Sequence, residues 1–156
     1  MKISVITAVY NRVATVGHAV ASIQAQTYPH VEHIVQDGGS TDGTLDVLTQ
    51  LSIPSTFVCS QPDKGIYDAI NHGIARATGD VIGLMHSDDF YADDRALERI
   101  VEAFAHPEVD GVYGDLQYVA GEIPNGVVRH WRSGEYSRSK LGRGWMPPHP
   151  TDRKST

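Results

Sequence analysis

Val81-Ile82-Gly83-Leu84-Met85 runs without a break into His86-Ser87-Asp88-Asp89. The apolar run reads as a buried strand. Two adjacent carboxylates at its end repel each other and lose solvation. A divalent cation would compensate, and Mg²⁺ or Mn²⁺ takes hard oxygen ligands and often bridges carboxylate to diphosphate. Solvated turn and cap residues ahead of a helix near Arg95 are the alternative.

Outward from this stretch, strand and helix patterns alternate. Ile3 to Val9 is a short apolar run, followed by Val13, Val16, Val20 and Ile23 at helical spacing. His33-Ile34-Val35 and Thr56 to Cys59 read as further strands. A helix around Thr44 to Leu51 separates them. Ile66, Ala69, Ile70, Ile74 and Ala77 predict a helix before the Val81 strand, with Gly79 suited to its stop. Leu97, Ile100, Val101 and Phe104 predict the next helix, and Gly111 to Leu116 a fifth strand. This alternation predicts an α/β fold, a mainly parallel sheet with helices on both faces. Ligands of such sheets sit beyond the carboxyl ends of the strands. After Leu116, Tyr118-Val119 and Val127-Val128 suit a hairpin across Gly121 to Gly126. From Ser133 onward few apolar anchors remain, which predicts a long mobile loop.

Composition limits the function classes. The 156 residues suit one domain, with 40% hydrophobic and 21% charged residues. Thirteen Lys and Arg against 19 Asp and Glu give a formal charge of -6, which disfavours nucleic acid as a partner. The tail from Arg129 onward is nonetheless richer in Arg and Lys. The single Cys59 cannot form an internal disulfide, reads as a small core residue, and is compatible with a reducing cytoplasm. No signal peptide is evident and no apolar run suffices to span a bilayer.

The strand-end loops supply the candidate site. Tyr10 could stack on a flat base and Arg12 could reach a phosphate, or both could belong to an ordinary turn. Asp37, before Gly38-Gly39, could accept a hydrogen bond from a base or ribose. Asp42 suits a helix cap. Lys64 precedes a helix N-terminus, where anions are welcome, and Asp68 in its first turn suits capping alone. Neither a dinucleotide fingerprint nor a Walker loop is present.

Taken together, these loops resemble the inverting nucleotide-sugar glycosyltransferases of the GT-A fold (family 2-like). The matching pieces are Ser4 to Arg12, Gln36 to Thr44, Asn71-His72-Gly73-Ile74 leading to Ala77-Thr78-Gly79-Asp80, and Leu84 to Asp89, in that order. They cover roughly residues 1–120, the donor-binding core of a single 1–156 domain whose remainder is hairpin and tail. The resemblance implies that Thr7, Ala8 and Tyr10 line the base pocket. It also implies that Asp37 bonds the base, typically uracil, and that Lys64 and Asp68 help to hold the nucleotide. His86 and Ser87 stand at the first two positions of the family's D-x-D motif, where His86 replaces an Asp that contacts ribose. Asp88 would be the metal ligand, with Asp89 beside it, and the cofactor would be Mg²⁺ or Mn²⁺. His149, in His149-Pro150-Thr151, resembles a late family histidine that approaches metal or diphosphate.

The expected function is transfer of a sugar, UDP-linked by resemblance, to a saccharide or lipid-linked acceptor. The expected location is cytoplasmic or peripheral at the inner face of the membrane. Family members usually carry a later Asp or Glu general base. Asp115 and Asp152 are the late Asp residues here and neither matches, so no catalytic residue is assigned. The expectation is therefore a chain lacking the family's C-terminal acceptor and base segment. The alternatives are a catalytically silent nucleotide-sugar-binding or assembly module truncated before the general base, or a homo-oligomer that borrows its base from another subunit.

Overall fold

The computed structural model describes residues 1–51, 54–121, 126–151 and 153–155. Strand β1 (Ile3–Val9) is rich in β-branched residues and buried along nearly all its length. Helix α1 (Val16–Gln24) buries Val16, Ala19, Val20 and Ile23. Strand β2 (Val31–Asp37), helix α2 (Thr44–Gln50) and strand β3 (Thr56–Ser60) follow. Helix α3 (Ile66–Arg76) leads to β4 (Val81–Leu84), and α4 (Ala96–Phe104) to the two-residue β5 (Gly111–Val112). Strands β6 (Leu116–Val119) and β7 (Val127–Trp131) precede a short helix α5 (Arg138–Leu141). A 3-10 turn at His149–Thr151 and strand β8 (Arg153–Ser155) complete the order.

The main sheet runs β3-β2-β1-β4-β8-β5. Its first four strands are mutually parallel, so their carboxyl ends, near Ser60, Asp37, Val9 and Leu84, share one edge. One face packs Ile3, Val5, Ala19, Ile23, Val81, Met85, Leu97 and Phe104 together, with Val9, Val16, Val20, Val35 and Leu48 as a second cluster. Burial of these aliphatic side chains is the main stabilising term, roughly 1.5–3 kcal/mol for each large one. Helix α3 covers the other face and lies so close that a Cβ at Gly73 would collide with Ile6.

Several sequence expectations are corrected. Gly111 to Leu116 is not one strand. Asp115 turns aside and its Oδ1 accepts hydrogen bonds from Ser133 N (2.9 Å) and Ser133 Oγ (2.8 Å), and the chain restarts as β6. β6 pairs antiparallel with β7 as the hairpin expectation required, with residues 122–125 of its loop outside the described set. The tail is not one long loop. It ends in β8, which inserts antiparallel between β4 and β5. Its anchor is charged rather than apolar. Arg153 is buried, and its stem occupies the space that a side chain at Gly83 would need.

Helix α3 buries Ala69 and Gly73, while Ile66 and Ile74 are exposed. Gly79 serves close approach rather than a left-handed stop, since a Cβ there would stand 2.7 Å from Ser4 N. Cys59 is only half-buried and accepts a hydrogen bond from Arg76 Nη2 at 3.6 Å. Among the described residues no helix is long and apolar enough to cross a membrane.

Candidate functional site at the strand carboxyl ends

The shared carboxyl edge is built by polar cross-links between loops. Asn11, just after β1, has φ 51 and is the sole non-glycine described residue with positive φ. Asn tolerates this conformation better than most residues. Its N–H donates to Ser40 Oγ at 2.8 Å, and its Oδ1 accepts Thr41 N–H at 2.9 Å. Arg12 N donates to Thr44 Oγ1 at 2.8 Å. Asp42 accepts Val13 N–H at 3.1 Å and Thr44 N–H at 3.0 Å, so it serves the helix start as a cap residue would.

Asp37 is the centre of this edge. It is fully buried, and its Oδ2 accepts Gly39 N (3.0 Å), Ser40 N (3.0 Å) and Ser60 Oγ (2.6 Å). Its Oδ1 accepts Ser40 Oγ. One carboxylate thus ties the end of β2 to the end of β3 and, through Ser40, to the loop after β1. Charge-assisted bonds of this kind are the stronger class, about 1.5–3 kcal/mol each. The neighbouring glycines make room: Gly39 has φ +89, and a Cβ at Gly38 would lie 2.6 Å from Asp63 Oδ2.

The loop after β3 is pinned to the start of α3. Asp63 Oδ1 accepts Gly65 N–H at 2.8 Å, and Asp68 Oδ2 accepts Lys64 N–H at 3.0 Å. Asp68 is therefore a helix-start acceptor, and the Lys64 side chain is exposed. Tyr10 is exposed at the end of β1, as is Arg12, whose Nη1 donates to Asn11 O at 3.2 Å. Ala8 is half-buried. Thr7 is brought elsewhere. It is fully buried, and its Oγ1 shares a 3.0 Å hydrogen bond with His33 Nε2, so its side chain does not open onto the edge.

The loop after β4 is a tight turn. Met85 N donates to Ile6 O at 2.9 Å, prolonging the pairing with β1. Asp89 N donates to His86 O at 3.1 Å, which puts Ser87 and Asp88 at the corner. Ser87 is buried, Asp88 exposed and Asp89 half-buried. Burial raises the Asp89 pKa, and Asp88 raises it further, while His86 and Arg153 oppose the shift. The distant His149 arrives here: its ring centroid lies 5.5 Å from that of His86.

His86, Asp88 and Asp89 thus share one turn and His149 reaches His86, but among the described residues no three His, Cys, Asp or Glu side chains form a metal cage. The two carboxylates are the part of this turn that suits Mg²⁺ or Mn²⁺, which take one or two protein carboxylates and complete their shell with water and phosphate oxygens.

Arg153 had no role in the sequence reading, yet it underlies this loop. Its Nη2 donates to Tyr91 Oη at 3.3 Å, its Nη1 to Pro150 O at 3.2 Å, and its guanidinium lies 5.8 Å from the Tyr91 ring centre. The legible signal was Gly83, since a glycine inside a strand marks close approach. Two clefts, of about 470 and 200 Å³, open at the opposite edge of the sheet, one beside Lys2 and Asp80 and one beside Ile23 and Thr56. They lie away from the strand carboxyl ends, where ligands of such folds bind.

Comparison with known proteins adds the family. Residues 4–153 match the model of glycosyl transferase family 2. An uncharacterised glycosyltransferase of Nostoc sp. is 39% identical over 127 residues, covering 78% of this chain and 38% of that protein. A PGL/p-HBAD biosynthesis glycosyltransferase of Mycobacterium tuberculosis is 33% identical over 118 residues, covering 72% of this chain and 46% of that protein. The chain therefore spans less than half the length of these relatives.

Among solved structures, a Pyrobaculum calidifontis mannosyltransferase in complex with GDP-Man and Mn²⁺ gives a TM-score of 0.69 at 24% identity, covering 75% of this chain and 36% of that one. Residues 1–349 of S. aureus TarS in complex with UDP-GlcNAc give 0.68 at 23% identity, covering 83% and 37%. These likenesses establish the fold as that of the GT-A glycosyltransferases. By its sequence match over nearly its whole length, this chain belongs to glycosyl transferase family 2.

Proposed function

We propose that this chain binds the nucleotide-diphosphate sugar, UDP-linked, for an inverting glycosyl transfer to a saccharide or lipid-linked acceptor. The observation that carries the reading is the meeting of His149 with His86 beside Asp88 and Asp89, at the end of β4. Relatives named glycosyltransferases and solved neighbours bound to GDP-Man and UDP-GlcNAc support it. Tyr10 would stack on the base, and Asp37 Oδ1, which accepts one hydrogen bond, retains acceptor capacity for a base N–H. Reaching Asp37 requires the Gly38–Ser40 loop to open, because the carboxylate is buried. Ala8 would border the base, Thr7 would contribute only by supporting β1, and Arg12 and Lys64 would face the phosphates. His86 and Ser87 would lie on the ribose side.

Asp88 would hold a divalent cation, with Asp89 and His149 beside it. Such a cation, when bound, stabilises the charge of the departing diphosphate. Inversion requires an acceptor hydroxyl to attack the anomeric carbon opposite the diphosphate while a base takes its proton. Asp115 is a poor base: backbone and side-chain hydrogen bonds from Ser133 lower its pKa. Asp152 lies outside the described residues. A second reading is a silent donor-binding module, or a base borrowed from another subunit, and the weak basicity of Asp115 is the observation that motivates it.

A screen of UDP-, GDP- and TDP-sugars that follows release of the nucleoside diphosphate separates these readings. A transferase gives Mn²⁺-dependent release that Asp88→Ala reduces by about 10²-fold or more, the usual scale for loss of one strong electrostatic contact. A silent module binds without release. Neither binding nor release would overturn both.

A further inference from the structure

Charge is unevenly spread along this chain. Seven of the 13 Lys and Arg residues fall after Gly126, but only two of the 19 Asp and Glu residues do. The last 30 residues therefore carry +5, and the first 126 carry −11. Arg129, Arg132, Arg138, Lys140 and Arg143 are all exposed. None of them forms an ion pair with a described residue.

The same segment exposes apolar surface. Every residue of β7 is exposed, and Val128, Tyr136 and Met146 are 66%, 61% and 70% exposed, with Leu141 at 42%. This lobe is anchored. Trp145 packs edge-on against Tyr113 and Tyr136 at 5.7 and 6.4 Å. Its Nε1 donates to Ser133 O at 3.2 Å, and Ser133 is bonded to Asp115. Lys140 lies 5.9 Å from the Trp145 ring, and Arg129 5.5 Å from Tyr118.

Cations interleaved with exposed aliphatic and aromatic side chains suit few partners. A polyanion such as DNA would satisfy the cations and leave Val128, Leu141 and Met146 in water. A second copy would set five Lys and Arg residues and a single Glu135 against the same basic surface, +4 against +4. An anionic bilayer accepts both kinds of group. Its headgroups attract Lys and Arg, its interface takes aromatic rings, and aliphatic side chains dip below.

We propose that the lobe from Val127 to Met146 docks this chain on an anionic membrane surface. This goes beyond donor binding. It rests on the proposed transferase function only in suggesting a lipid-linked acceptor, because His149 joins the lobe to the Asp88 loop.

Sedimentation with phosphatidylcholine vesicles, with and without phosphatidylglycerol, at low and high salt, tests it. Binding is expected only with the anionic lipid and is expected to fall steeply with salt. Arg132→Ala and Arg143→Ala should each weaken it roughly fivefold, the effect of one charge near such a surface. Met146→Ser should weaken it while preserving the salt dependence. Absence of binding to anionic vesicles, equal binding to neutral ones, or insensitivity to these substitutions in proteins with wild-type circular dichroism would overturn it. Nucleotide calorimetry without vesicles decides the donor reading separately.

Discussion

Among single side chains, Thr7, His33 and Asp37 show how much polarity β1 and β2 carry into the interior. His33 is buried, and desolvation pushes its pKa down to about 4. Its Nε2 meets Thr7, while its Nδ1 has no hydrogen-bond partner among the described residues. A folded pKa below the unfolded value, near 6.5, means that the unfolded chain takes up the proton first. Stability is then complete above pH 6.5 and falls as pH drops from there towards about 4. The slope is about 1.4 kcal/mol per pH unit, on the order of 3 kcal/mol across the window. Urea unfolding against pH should show that slope and lose it in His33→Gln. An unchanged slope in the variant would refute the assignment. Glu32 acts lower. Burial opposes its charge, but donors from Lys2, Ser4 and Thr78 hold its pKa down to about 2, so its contribution is lost only from about pH 4.5 downward.

Among elements, β8 is the part the sequence hid. Arg153-Lys154-Ser155 has no apolar pattern, and the feature that accepts it, Gly83, sits some seventy residues earlier. The two sites should be energetically coupled. Gly83→Ala forces the Arg153 stem to move and should cost about 1–3 kcal/mol, the usual range for overpacking. In an Arg153→Ala background the same change should be close to neutral. Equal costs in both backgrounds, measured by urea unfolding, would show that β8 does not seat through this contact.

The legible elements were those with strong periodicity. The faces of α1 and α4 and the cores of β1, β2 and β4 follow directly from aliphatic spacing. Helix α3 is legible in the sequence, but its buried face is not the aliphatic one, because Ala69 and Gly73 pack by smallness rather than by hydrophobicity. The Asp37 position at a strand end was legible, but its partners were not. Ser40, Ser60 and Asn11 bond across loops, and local sequence carries no sign of such pairing. Thr7 was assigned by resemblance, and strand alternation turns its side chain to His33 instead.

For the whole molecule, the parallel arrangement of β3, β2, β1 and β4 brings four loops to one edge. Two of them bear candidate base- and metal-facing carboxylates, and the returning tail delivers His149. Family membership and fold rest on the sequence match and on the likeness to solved glycosyltransferases. Less than half the length of the curated relatives is represented, so donor binding is the part of their chemistry most directly testable on this chain. The decisive measurement is calorimetry of UDP, GDP and TDP with and without Mn²⁺, on the wild type and on Asp88→Asn. Metal-dependent binding of at least one nucleotide, strongest for UDP and weakened at least tenfold in the variant, is the expected result. Binding of none of them with the metal, or binding indifferent both to Mn²⁺ and to Asp88, would contradict it.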